Sequence, residues 1–117
     1  MKKLNSLLAG FALVVLTGPV FAADAAGSIT IISPKSDAVL QSAGNKLEFN
    51  VKLGPNGNHV HVYVDDQAPI VYRDVSHCPC SIDLPKLSPG KHTITVKEAT
   101  SSHAMTGVEG TVTATVK

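Results

Sequence analysis

Three short clusters hold most of the side chains in this chain that can bind a transition metal: His59-Val-His61, His77-Cys78-Pro79-Cys80 and His103-Ala-Met105. Imidazole, thiolate and thioether are the donors found at copper and zinc sites. His59 and His61 alternate with Val60, Val62 and Val64, a strand pattern. Residues two apart on a strand point the same way, about 6.5 Å apart along it, so two imidazoles can reach one ion. The valines claim the core face, which leaves the histidines the other. Cys78 and Cys80 flank Pro79 and offer soft sulfur. They could equally close a short disulfide or stay as two inert thiols. A bridge across so few residues restrains the unfolded chain little, and an exposed one is open to thiol exchange. His103 and Met105 lie in a Ser/Gly-rich stretch, Thr100–Gly110. A methionine there has no evident core to fill, which frees its thioether for a metal. The alternative is an apolar side chain resting on the rim of the fold.

The elements that must carry these groups are strands. Leu47, Phe49, Val51 and Leu53 alternate with Glu48, Asn50 and Lys52, the signature of a half-buried strand. Similar runs occur at Ser28–Ser33, His59–Val64, Pro69–Tyr72, Ser81–Leu84, His92–Lys97 and Thr111–Lys117. Turn signals divide them: Gly54-Pro55-Asn56-Gly57-Asn58, Asp65-Asp66-Gln67 and Pro85–Gly90. About seven short strands at roughly ten-residue spacing predict an all-β, Ig-like antiparallel β-sandwich. In Ig-like order the loops before His59, around His77–Cys80 and around His103–Met105 share one pole. His92 begins an inward-facing row with Ile94 and Val96 and falls at the opposite pole. It reads as a packed, hydrogen-bonded histidine rather than a ligand.

The first 22 residues read as an export signal. Lys2 and Lys3 precede an apolar run, Leu7–Leu16, which Gly18-Pro19 ends. Val20-Phe21-Ala22 then supplies a cleavage site, so the mature domain is expected to span 23–117. The run is too short for a bilayer, which needs about 20 apolar residues. A periplasmic or secreted destination follows, with no membrane insertion. Losing two lysines and no acid takes the formal charge from +1 to about −1. That balance argues against nucleic acid as a partner. No Gly-x-Ser-x-Gly elbow or phosphate-binding Gly loop is present. Asp65-Asp66 is accounted for by turn chemistry. The chain is therefore not expected to be an enzyme.

Three segments carry a resemblance: Ser33-Pro34-Lys35-Ser36-Asp37-Ala38-Val39-Leu40, His59-Val-His61-Val-Tyr-Val-Asp65 and Leu87-Ser-Pro-Gly-Lys-His92. With these the mature chain resembles the small periplasmic Ig-like proteins of bacteria. It is also similar to the periplasmic copper-resistance β-sandwich proteins, which open on a Pro…Val-Leu segment. They carry a histidine shortly before a glycine and the last strand, as His103…Gly107 does here. In that family such a histidine, with a histidine at the mature N-terminus, is a Cu(II) ligand. This chain departs from the pattern, because its expected mature N-terminus is Ala23.

The residues lead to one principal expectation, a copper-binding carrier or buffer that exchanges its ion with a donor or acceptor protein. Its candidate ligands are His59, His61, His77, Cys78, Cys80, His103 and Met105. A metal-free module contacting a protein or glycan is the alternative, and a thiol redox protein working through Cys78 and Cys80 is the third.

Overall fold

A computed structural model describes residues 26–117. The expected signal peptide over 1–22 and the start of the mature chain at Ala23 lie outside the described residues. Among the described residues there are eight strands. They are β1 (Ser28–Ser33), β2 (Ala38–Leu40), β3 (Lys46–Lys52), β4 (His59–Val64), β5 (Ile70–Tyr72), β6 (Cys80–Asp83), β7 (Gly90–Ala99) and β8 (Met105–Val116). A three-stranded sheet in the order β1-β3-β6 packs on a five-stranded sheet in the order β2-β8-β7-β4-β5. This is the expected all-β, Ig-like sandwich.

Alternation places the core. Leu47 and Phe49 of β3 face Val60, Val62 and Val64 of β4 and Ile94 and Val96 of β7, all buried. Each such side chain stabilises the fold by roughly 1.5–3 kcal/mol when withdrawn from water. Phe49, among the largest of the fully buried side chains, meets Tyr72 edge-on with ring centroids 5.9 Å apart.

The structure adds to the sequence reading at two points. β2 is an eighth strand, pairing in parallel with Ala114–Val116 of β8. Three residues are too few to show a period, so sequence does not reveal it. Asp37 adopts a left-handed backbone (φ 62°) and donates its N–H to Thr113 O at 2.8 Å, which steers the chain onto β8. The stretch Thr100–Gly110 is also not one loop. Its turn closes at Ala104 and β8 begins at Met105. A register shift opposite Lys97–Ala99, with Gly107 at φ 100°, lets the strand start six residues before the expected Thr111. Serine and glycine content disguised the strand.

On the outer face of the five-stranded sheet the register aligns Val71, His61, Lys97 and Glu109 in one row. It aligns His59, Ala99 and Met105 in the next. β4 starts at the pole where β3, β5 and β7 end and where β6 and β8 begin. His92 enters β7 at the other pole. Among the described residues no helix is long and apolar enough to cross a membrane.

Candidate metal centre

Two loops bring a third histidine to the His59–His61 pair. Before β4, Gly57 N–H donates to Gly54 O at 3.0 Å and Asn58 N–H donates to Ala99 O at 2.9 Å, which fixes where His59 begins. After β7, Thr100 organises the turn that holds His103. Its N–H donates to Ala104 O at 2.8 Å, its carbonyl accepts from His103 N–H at 2.9 Å, and its Oγ1 accepts from Ala104 N–H at 3.1 Å. This turn holds His103 at φ 71°, a left-handed conformation that costs a non-glycine residue about 1 kcal/mol or more.

Glu98 ties the two loops together. It sits on the core face of β7 and is 2% exposed. One carboxylate oxygen accepts from Gly54 N–H at 2.8 Å, ahead of His59. The other accepts from Thr106 Oγ1 at 2.6 Å, just past His103. A buried carboxylate is tolerated only with such partners. Gly57 makes room for it, since a Cβ there would collide with Glu98 Oε2.

The result is a near-equilateral triangle of ring nitrogens. His59 Nε2 and His61 Nε2 are 3.1 Å apart, His59 Nε2 and His103 Nδ1 3.2 Å, and His61 Nε2 and His103 Nδ1 3.1 Å. Three nitrogens of a tetrahedral ion with bonds of about 2.0–2.1 Å are separated by roughly 3.3 Å, and those on one face of an octahedron by roughly 2.9 Å. The observed spacing lies between the two. His59 and His61 are 0% and 6% exposed, whereas His103 is exposed and forms the outer wall. His59 and His61 still face away from the core valines. What buries them is the His103 turn folded over the sheet.

Each inner nitrogen of the triangle has only other ring nitrogens as partners inside it. Asn58 Oδ1 accepts from His59 Nδ1 at 2.8 Å, so the proton of that ring points outward and Nε2 presents a lone pair inward. His61 Nδ1 lies 3.4 Å from Tyr63 Oη. A single inward N–H can bridge two of the three nitrogens, but some lone pairs still face one another. A cation resolves that conflict. The electrostatics also keep the rings in the form a metal needs. Burial, then the Arg73 guanidinium and the His103 and His61 rings, hold His59 below the usual histidine value. Burial, then His103 and Arg73, lower His61. Neutral imidazole is the metal-binding form.

The other sequence candidates separate from this centre. Cys78 and Cys80 are joined in a disulfide. Their sulfurs are bonded to each other and in this oxidised state offer no thiolate to an ion. His77 is exposed in the turn just before the bridge and is not in the converging group. Met105, 40% exposed, lies across Ala99 from His59, with its sulfur 4.0 Å from Tyr63 Oη, on the rim of the site. Sequence reading passed over Asn58, Tyr63, Arg73 and Glu98. Position carried a signal for two of them: Asn58 directly precedes His59, and Tyr63 follows His61 by two on the same face. Arg73 comes into line only when β5 pairs with β4, two residues past Val71, the cross-strand neighbour of His61.

His92 behaves differently. It is 7% exposed at the far pole. Nδ1 lies 2.6 Å from Asp65 Oδ2 and Nε2 2.7 Å from Ser88 O, so both ring nitrogens donate and the ring is cationic. The Ser88 carbonyl and then the Asp65 carboxylate raise His92 above the usual histidine value against the effect of burial. Burial also opposes ionisation of Asp65, yet hydrogen bonds from His92 and from Thr93 N–H bring it below the usual carboxylate value.

Compared with described protein families and with characterised proteins, the sequence has no match. Solved structures share the fold. The CbhA fibronectin(III)-like modules of Clostridium thermocellum superpose with a TM-score of 0.60 at 21% identity, over 80% of this chain and 47% of that one. This chain thus spans about half the length of that structure. An extracellular domain assigned to a one-component system of B. thetaiotaomicron gives 0.54 at 11% identity, over 77% of this chain and 15% of that one. CopC from Methylosinus trichosporium OB3b gives 0.47 at 15% identity, over 76% of this chain and 93% of that one, an overlap too loose to bear on fold or function.

Proposed function

We propose that this chain is an exported, non-enzymatic copper-binding sandwich that takes up an ion at His59, His61 and His103 and passes it on. The observation that carries the reading is the triangle of ring nitrogens 3.1–3.2 Å apart, held by two loops that Glu98 ties together. Imidazole suits both copper and zinc, and Cu(II) outranks Zn(II) in affinity at a given nitrogen site. Met105 adds a thioether on the rim, the kind of donor that favours Cu(I) over zinc. Three protein ligands leave a position open. His103 is exposed, so the ion can be handed to a donor or acceptor protein without unfolding the sandwich. The first 22 residues support export to a compartment where such exchange takes place.

The alternative is a metal-free module that contacts a protein or glycan. Its support is the fold shared with fibronectin(III)-like modules and the exposed Val71 beside His61. Calorimetric titration of the chain from Ala23 onward separates the two readings. We expect one Cu(II) per chain, binding tighter than Zn(II), with uptake lost in His59→Ala/His61→Ala. Absence of copper uptake, or uptake unchanged in that double variant, overturns the metal reading in favour of the module.

A further inference from the structure

Arg73, the first residue past β5, is exposed, and its guanidinium stands just outside the histidine triangle, beside the outer nitrogen of His103. One terminal nitrogen lies 3.5 Å from Asn58 Oδ1 and the other 3.5 Å from His103 Nε2. Asn58 Oδ1 also accepts from His59 Nδ1, so one carboxamide oxygen braces a ligand and the arginine together. A permanent cation beside three converging imidazoles works against a second cation. Among the described residues the converging donors are three histidines and no carboxylate. Neutral ligands leave an ion's charge uncompensated, and the arginine adds to it.

We propose that the centre binds its ion together with a small oxyanion, a carboxylate or carbonate, that fills the open coordination position and is held at its other end by Arg73. This rests on the metal-binding reading above. The chemistry fits on both sides. A guanidinium presents paired donors that match the two oxygens of such an anion. A negatively charged ligand offsets the ion and the arginine at once. Arg73 therefore weakens capture of the bare ion and strengthens capture of the ion–anion pair. The two effects have opposite signs, and one substitution separates them.

Co(II) and Zn(II) serve as probes, at fixed free-ion concentration, in a perchlorate medium with or without acetate or bicarbonate. In the wild-type chain we expect an anion to tighten ion binding about tenfold or more and to shift the Co(II) visible spectrum. Arg73→Ala should bind the bare ion several-fold tighter than wild type and lose the anion enhancement. Arg73→Lys keeps the charge without the fork, so bare-ion affinity should stay low and most of the enhancement should vanish. Enhancement by acetate alone or by bicarbonate alone supports the proposal and names the oxyanion. Equal enhancement in wild type and Arg73→Ala overturns it, as does an ion that binds wild type with no response to either anion. Those results leave the metal reading standing. Failure of any ion to bind removes both.

Discussion

One strand, β4, joins two buried histidine sites that are built on opposite terms. At its start His59 and His61 turn their inner nitrogens toward His103. Just past its end Asp65 accepts a hydrogen bond from His92 Nδ1. The poles are about 20 Å apart along six residues of strand. At the His92 pole every ring nitrogen finds an oxygen acceptor, so the ring takes up a second proton and the site is complete. At the His59 pole the inner nitrogens find only one another, an arrangement that could accept a cation. Burial is similar at both. What differs is what the nitrogens face, and that decides between a structural histidine and a ligand.

The largest test of this contrast is to remove one histidine from each pole. His59→Ala should weaken copper binding more than about 100-fold, beyond the loss typical of a residue that only supports a ligand. It should also abolish the rise in melting temperature that the ion produces. His92→Ala should leave copper affinity within about twofold, since distant sites act independently. Equal losses from both, measured by calorimetry, would erase the distinction.

The next effect is on stability. His92→Ala should cost about 2–3 kcal/mol in urea unfolding, because it removes two buried donors and strands part of Asp65. Asp65→Ala should cost a comparable amount, and the double variant little more than either, since the two groups act as a unit. Fully additive losses would mean that the pair is not coupled.

A subtler effect appears in the pH dependence of the metal-free protein. His92 is raised on folding, so its contribution is complete below about pH 6.5 and fades as pH rises through its folded value. Asp65 is lowered, so its contribution is present above about pH 3.9 and is lost as pH falls through its folded value. His59 and His61 are lowered too, so the fold must shed their protons and loses stability as pH falls below about 6.5. Below that pH, His59→Ala/His61→Ala should flatten the acid-side decline, whereas His92→Ala should remove the loss that sets in as pH rises above about 6.5. Chemical unfolding at a series of pH values checks this, and two variants whose slopes change over the same pH range would contradict the assignment.

The smallest expected effect lies behind the ligands. Thr106→Val removes the hydroxyl that Glu98 holds, loosening the turn that carries His103. Copper affinity should fall about tenfold, with little change in metal-free stability. A stability loss with affinity unchanged would show that Glu98 supports the sandwich rather than the centre.

How much was legible in the sequence follows from the range of each signal. Alternation at Leu47–Leu53 and His59–Val64 is local and strong, and it specified strands and faces, while Ig-like order brought His59, His61 and His103 to one pole. The row of His92, Ile94 and Val96 marked His92 as inward-facing in the same way. β2 was invisible because three residues in a parallel pairing show no period. The early start of β8 was hidden because Ser101, Ser102 and Gly107 imitate a continuous loop. Cys78 and Cys80 offered several chemistries, and spacing alone could not choose the disulfide. Arg73 and Glu98 escaped because their importance comes from residues distant in sequence. Glu98 meets Gly54 and Arg73 meets His103 only once the sheets have formed.

The triangle draws on chain positions 44 and 42 residues apart. A strand of polypeptide threaded through a secretion channel keeps His59 and His61 as neighbours but holds His103 out of reach. On the proposed reading of an exported metal-binding protein, such a chain would arrive without its full chelate, whatever metals were present where it was made. Loading would wait for the sandwich to close. An ion recovered with the folded protein would then report the metal supply of the destination, not of the ribosome's compartment.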